Sequence, residues 1–167
     1  MTMIHIADDE NLSELTKVQP GDIQPNAVDL RLGKVFKILS TEFVISNKDK
    51  KHRGSHRVQA SEDGYYHLHP GTYEVIMENE IDVGEGEAGW VITRSSLNRN
   101  GVFLTSGLYD SGYSGVMAGV MHVKEGIMKI KPGTRIGQYL SFKAQTLKMY
   151  KGSYGSGSEH DLSLIHI

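Results

Sequence analysis

Nineteen glycines in 167 residues cut this chain into short apolar runs, and that punctuation constrains its fold more than any other feature. "KVFKIL", "TEFVIS", "TYEVIM", "GWVIT" and "GVMAGVMHV" are each about five to nine residues long and rich in Val, Ile, Phe and Tyr. Runs of that length and composition, bounded by turn residues, are strands. Helical signal is confined to "DDENLSELTK", which predicts a short helix, and "SSLNRNG", which predicts a single helical turn. The pattern implies an all-β barrel, sandwich or jelly roll. A chain of this length buries roughly 70% of its unfolded surface, enough for a domain with its own core.

Eighteen Lys and Arg against 20 Asp and Glu leave a net charge of −2. The totals therefore lack the broad basic face of a nucleic-acid or membrane binder, and the expected partner is small. With no cysteine, neither a disulfide framework nor a thiolate metal site is available. No apolar stretch approaches the roughly 18 residues of a membrane span, and "MTMIHIADDE" has no signal-peptide pattern. A soluble, cytoplasmic protein is expected. "SNKDKKHRGSHR", Ser46 to Arg57, carries five basic side chains, one acid and two histidines without apolar periodicity and reads as a solvated loop. The composition divides the chain into a domain over residues 1–147 and a flexible Gly- and Ser-rich tail over 148–161. The last six residues, "LSLIHI" over 162–167, look like a translated sequencing adapter and are set aside.

Some motifs have bland readings. "GEGEAG", Gly84 to Gly89, matches G-x-G-x-x-G, but it leads into a strand and sets Glu85 and Glu87 where phosphates would approach. His67 and His69 in "HLH" share one strand face without a third ligand. No G-x-S-x-G elbow nominates a serine nucleophile. "WVITRSSLNRNG" is different: a strand ends at Thr93, and Arg94, Ser95 and Ser96 open a short helix with hydroxyls, a cation and free N–H groups. That is either an anion site or a merely capped helix start beside a solvated arginine. "LTSGLYDSGYSGVMAGV" then holds one acid, Asp110, in a turn between two apolar runs, and no acid follows it there.

In order along the chain, "QPNAVDLRLGKVF", "LHPGTYEV", "RSSLNRNG", "GLYDSGYSG", "PGTRIGQYLSF" and "YKGSYGSG" resemble the motifs of the trimeric dUTPase and dCTP deaminase superfamily, from about Ile23 to Gly157. The first three are closer to the deaminase branch, and "GLYDSGYSG" is closer to dUTPase, a mixture found in phage and microbial members. The resemblance implies a distorted β-barrel or jelly roll, a homotrimer with active sites at subunit interfaces, and a deoxynucleoside triphosphate bound with Mg²⁺. Carried over by position, Asp110 would be the general base for water attacking the α-phosphorus, and Tyr113 would lie under the deoxyribose and exclude a 2′-hydroxyl. Arg94, Ser95, Ser96 and Gln138 would grip the triphosphate. Asp29, in "AVDLRLG", would support the metal through water. Backbone groups from Leu104 to Leu108, with Gly107 allowing close approach, would read the base on a hairpin shorter than is typical. Tyr154 would close over the base.

Deaminases of this superfamily need a glutamate ten residues beyond the aspartate to shuttle protons. That position is Val120, and valine carries no proton. Arg99 matches a deaminase-branch arginine and reads as inherited framework touching phosphate or the subunit interface. The implied activity is therefore hydrolysis of dUTP to dUMP and pyrophosphate. The alternatives are dCTP deamination, alone or combined with dUTP hydrolysis, and non-catalytic nucleotide binding.

Overall fold

The computed structural model describes residues 1–155. In chain order its strands are β1 (Thr2–Ile4), β2 (Glu14–Leu15), β3 (Val28–Ile38), β4 (Val44–Ile45), β5 (Lys50–Lys51), β6 (Ser55–Arg57), β7 (Tyr66–Leu68), β8 (Gly71–Asp82), β9 (Glu87–Thr93), β10 (Val102–Thr105), β11 (Ser114–Val123), β12 (Met128–Ile130) and β13 (Arg135–Lys143). A 3₁₀ turn spans Pro20–Asp22, and the one-turn helix α1 spans Ser95–Asn98. The expected all-β architecture holds, and so does the single helical turn after β9.

The long strands β3, β8 and β11 lie side by side, antiparallel, and alternate residues face the core. Leu30, Leu32 and Val35 of β3, Tyr73, Val75 and Met77 of β8, and Met117, Met121 and Val123 of β11 meet there with Ile136 and Tyr139 of β13. Main-chain pairing runs β1-β13-β3-β8-β11-β10, and β9 lies along the other edge of β13. Where β3 and β8 part, the buried Asn79 side chain takes over from the ladder, accepting from Arg31 N and donating to Thr16 O.

The sheet closes on itself at β9 and β10 through hydroxyls. Thr93 Oγ1 donates to Leu104 O at 3.0 Å and accepts from Leu104 N at 2.8 Å. Ser106 Oγ accepts from Val91 N, and a two-way backbone bridge joins Gly89 to Tyr109. Gly137 lets β13 approach this seam: a Cβ there would lie 2.7 Å from both Leu104 and Val91 side chains. An apolar barrel thus acquires a polar seam whose buried donors and acceptors are matched.

Two local expectations are corrected. "DDENLSELTK" forms turns and β2 rather than a helix. The reason is Glu87, 1% exposed, whose carboxylate accepts from Leu12 N, Ser13 N, Ser13 Oγ and Lys143 Nζ. Those two N–H groups are lost to any helical ladder. The basic segment, read as a solvated loop, folds into the small β4–β5 hairpin and into β6, which pairs with β3. The residues from 156 onward, including the end of the expected tail and the adapter-like hexapeptide, lie outside the described residues.

Candidate active site

Two groups of sequence-nominated residues form, one at each end of β9. The first centres on Asp29 of β3, which is fully buried. On the neighbouring strand β13, Gln138 pairs with Asp29 and Arg135 pairs with Arg31, with an irregular register between Arg135 and Gly137. Residues three apart on a regular strand face opposite ways. The extra residue of the bulge restores the phase, so Arg135 and Gln138 project on one side. Gln138 Nε2 donates to Asp29 Oδ1 at 3.1 Å. Oδ2 receives Gln24 Nε2 at 3.0 Å and Arg135 Nη1 at 3.3 Å, and Arg94 Nε lies 3.4 Å away.

A second ion pair braces this group. Arg31 forks onto the buried Asp22, Nη2 to Oδ1 at 2.6 Å and Nε to Oδ2 at 2.9 Å. The guanidinium holds the Asp22 carboxyl below its ordinary range. That fixes the 3₁₀ turn, whose Gly21 carbonyl accepts from Arg135 Nη1 at 2.8 Å. Arg94 occupies the N-cap position of α1 with extended backbone and no side-chain cap. Neither serine therefore caps the turn, and Ser95, Ser96 and Arg99 are exposed beside Arg94.

The second group surrounds Asp110. The Gly89–Tyr109 bridge seats the turn after β10 against β9 and leaves the Asp110 side chain exposed. It opens on a cleft of about 540 Å³ lined by Ala88, Leu108, Ser111 and residues of the segment 144–152, among them Lys148 and Lys151. Leu104 is buried, whereas Gly107 and Leu108 are exposed at the hairpin tip. Tyr113 sits behind, 7% exposed. Its hydroxyl donates to Val116 O, and its ring meets Tyr109 and Tyr150 edge-on with centroids 5.2 Å away in each case. Burial pushes the Tyr113 phenol up to about 12.

The segment after β13 is held by Tyr150 N donating to Ser111 O at 2.8 Å and by a Ser111–Thr146 hydroxyl pair at 2.7 Å. Gly155 closes on the Tyr113 ring and on Gly115, where a Cβ would have no room. Tyr154, expected over the base, rests instead beside the β4–β5 hairpin, with Lys50 Nζ 3.0 Å from its hydroxyl. His67 bonds Asp63 at 2.8 Å, in keeping with its bland reading. Sequence reasoning missed Arg135, Gln24 and Asp22. The odd spacing of Arg135 and Gln138 hid the first of these, and Gly137 between them was the only hint of a bulge.

The two groups are not adjacent within one chain. Gly89 neighbours Tyr109 and Thr93 neighbours Leu104, so Arg94 and Asp110 flank opposite ends of β9, about 16 Å apart at roughly 3.3 Å per residue.

An antiparallel barrel with polar loops at both ends of one strand defines a fold class shared with solved nucleotide enzymes. The 2′-deoxycytidine 5′-triphosphate deaminase from Agrobacterium tumefaciens superposes with a TM-score of 0.61 at 18% identity, covering 77% of this chain and 42% of that one, a likeness of fold. The family model described as dCTP deaminase-like matches residues 2–144, and the chain belongs to that family. It is 33% identical over 136 residues to the deoxyuridine 5′-triphosphate nucleotidohydrolase of Methanocaldococcus jannaschii, covering 79% of this chain and 86% of that protein. It is 31% identical over 150 residues to the dUMP-forming dCTP deaminase of Salinispora arenicola, covering 85% of this chain and 76% of that protein.

Proposed function

We propose that the protein is a soluble, cytoplasmic enzyme that hydrolyses dUTP to dUMP and pyrophosphate. The carrying observation is a pair of positions: Asp110 is exposed on a cleft, and Val120 on the following strand is apolar. Asp110 accepts a hydrogen bond from water and takes its proton as the water oxygen bonds to the α-phosphorus. The bond to the bridging oxygen breaks, and pyrophosphate leaves. One base suffices for this, because positioning and cationic stabilisation supply most of the rate in phosphoryl transfer. Arg94, Ser95, Ser96 and Gln138 hold the phosphates. Leu104 and Gly107 belong to the hairpin that meets the base, Tyr113 senses the sugar, and Tyr154 closes from the tail.

The separation of the two groups supports the homotrimer with shared sites that the family resemblance implies. At about 16 Å along β9, Arg94 and Asp110 of one chain are too far apart to serve one α-phosphate and its neighbours, whereas Asp110 of one subunit facing Arg94 of the next serves them readily. The exposure of Arg99 beside α1 supports its assignment to that interface. Mg²⁺ enters with the triphosphate as part of the substrate. Among the described residues no group of three His, Asp or Glu is placed to hold a metal, and Asp29, buried under four donors, does not fit the metal-supporting role its motif suggests.

One observation favours a second reading, deamination. Glu74, 2% exposed, is the cross-strand partner of Val120, so their Cβ atoms lie about 5 Å apart on one face. Incubation with dUTP, dCTP, dTTP and UTP in Mg²⁺, followed by chromatography, separates the readings. Release of dUMP and pyrophosphate from dUTP, with UTP untouched, is expected. Asp110→Asn should cut turnover roughly 10²- to 10⁴-fold while still binding nucleotide. Conversion of dCTP with dUTP left intact, abolished by Glu74→Gln, would overturn the hydrolase assignment.

A further inference from the structure

Among the described residues no group bonds the Asp110 carboxylate, so its direction is set by the backbone of its turn. That turn is pliant by composition: Gly112 within it takes φ +87°, a left-handed value natural to glycine. The barrel pins it on either side, Tyr109 to Gly89 in both directions and Gly112 N to Val83 O at 2.9 Å. Between these pins lies Ser111, 4% exposed. Its Oγ donates to Glu87 O at 2.5 Å and lies 2.7 Å from Thr146 Oγ1. A serine hydroxyl has one proton. With that proton given to Glu87 O, Thr146 is the donor in the hydroxyl pair. The result is a directed chain from Thr146 through Ser111 to the β9 backbone, in which each bond polarises the next.

We propose that Thr146 is a positioning residue for Asp110, acting through Ser111. The proposal rests on the hydrolase reading, in which Asp110 is the base. The stretch that carries Thr146 is tied down along its length. Ala144 N donates to Gly86 O at 2.8 Å, Thr146 Oγ1 donates to Ser111 Oγ, and Tyr150 N donates to Ser111 O at 2.8 Å. Ser111 is thus gripped by its side chain and by its carbonyl from one short segment. Met149, between the two grips, lies against the turn itself, since a Cβ on Gly112 would come within 3.0 Å of its side chain. The same segment lines the cleft on which Asp110 opens. The wall of the cleft and the peptide that carries the base are therefore one body. Misplacing a reacting group by about 1 Å costs roughly 10²-fold in rate, so a hydroxyl that exchanges no proton with substrate still governs turnover.

The test is steady-state kinetics of wild type, Thr146→Val, Thr146→Ser, Asp110→Asn and the Asp110→Asn/Thr146→Val double variant, with whichever of dUTP, dCTP, dTTP and UTP the wild type hydrolyses. Valine keeps the shape of this half-buried residue and removes only the donor. In Thr146→Val, kcat should fall about tenfold while KM stays within about twofold of wild type, and Thr146→Ser should restore it. In the Asp110→Asn background the valine should cost nothing further, because its effect passes through the lost base. A wild-type kcat in Thr146→Val, a change in KM alone, or an equal fall in both backgrounds would overturn the proposal. A second readout needs no substrate: trypsin should cut after the exposed Lys148 and Lys151 faster in Thr146→Val than in wild type, and an unchanged rate would show that the hydroxyl anchors nothing. If wild type hydrolyses none of the nucleotides, the hydrolase reading fails, while the tryptic comparison still decides whether Thr146 holds the turn.

Discussion

The hydroxyl seam between β9 and β10 yields the sharpest prediction. Replacing Thr93 by Val keeps shape and β-branching but removes the oxygen that both donates to Leu104 O and accepts from Leu104 N. Leu104 is 3% exposed, so water cannot replace either bond. Two buried backbone groups left unmatched cost about 1–3 kcal/mol each, giving a loss of roughly 2–4 kcal/mol after partial relaxation. For a domain of this size that lowers the melting temperature by about 5–15 °C. Thr93→Ser, which keeps the hydroxyl, should recover most of it. Urea and thermal melts of the three proteins measure the loss. KM for dUTP reports on the hairpin that begins at Leu104 and should rise in Thr93→Val alone. Stability of Thr93→Val within about 0.5 kcal/mol of wild type, or a serine variant as weak as the valine one, would refute the idea that this hydroxyl closes the barrel.

Two further outcomes are expected. Burial pushes the Glu87 carboxyl up, but hydrogen bonds from Leu12, Ser13 and Lys143 outweigh it, and the folded-state value lies below the ordinary one. Its contribution to stability is therefore complete above the unfolded carboxyl range near ~4.3 and is lost as pH falls through the lower folded value. The stability gap between wild type and Glu87→Gln should be constant at neutral pH and narrow below about pH 4; a gap that does not change with pH would show that the charge is irrelevant. Tyr154→Ala should raise KM and lower kcat together, because Tyr154 must leave Lys50 to reach the base, and unchanged kinetics would make it a bystander.

Much of the architecture was legible because its cause is local. Glycine-bounded β-branched runs specify strands, and α1 falls where Ser95 follows a strand end. What was illegible depends on contacts distant in sequence. The helix expected at "DDENLSELTK" failed because Glu87, 75 residues from Leu12, takes its N–H groups. The family motifs implied that Arg94 and Gln138 meet one triphosphate with Asp29 near its metal, but not that both side chains turn onto Asp29 itself, and Arg135 was hidden by a bulge visible only against β3. The distance between Asp110 and Arg94 along β9 was equally invisible, since each lies in a well-marked motif.

The bulge on β13 also bears on how sequences of this kind should be aligned. Upstream of it Arg135 faces Asp29 and Ile136 the core; downstream the residue facing Asp29 is Gln138 and the core residue is Tyr139. The two stretches are out of step by one residue, so each would read as a different face if the strand were regular. Without the one extra residue, Arg135 and Gln138 would stand two apart, the spacing at which a regular strand already puts both on one face. A relative with a regular strand here would therefore be one residue shorter and keep both faces, so a one-residue gap at this point in an alignment is the mark of a bulge gained or lost.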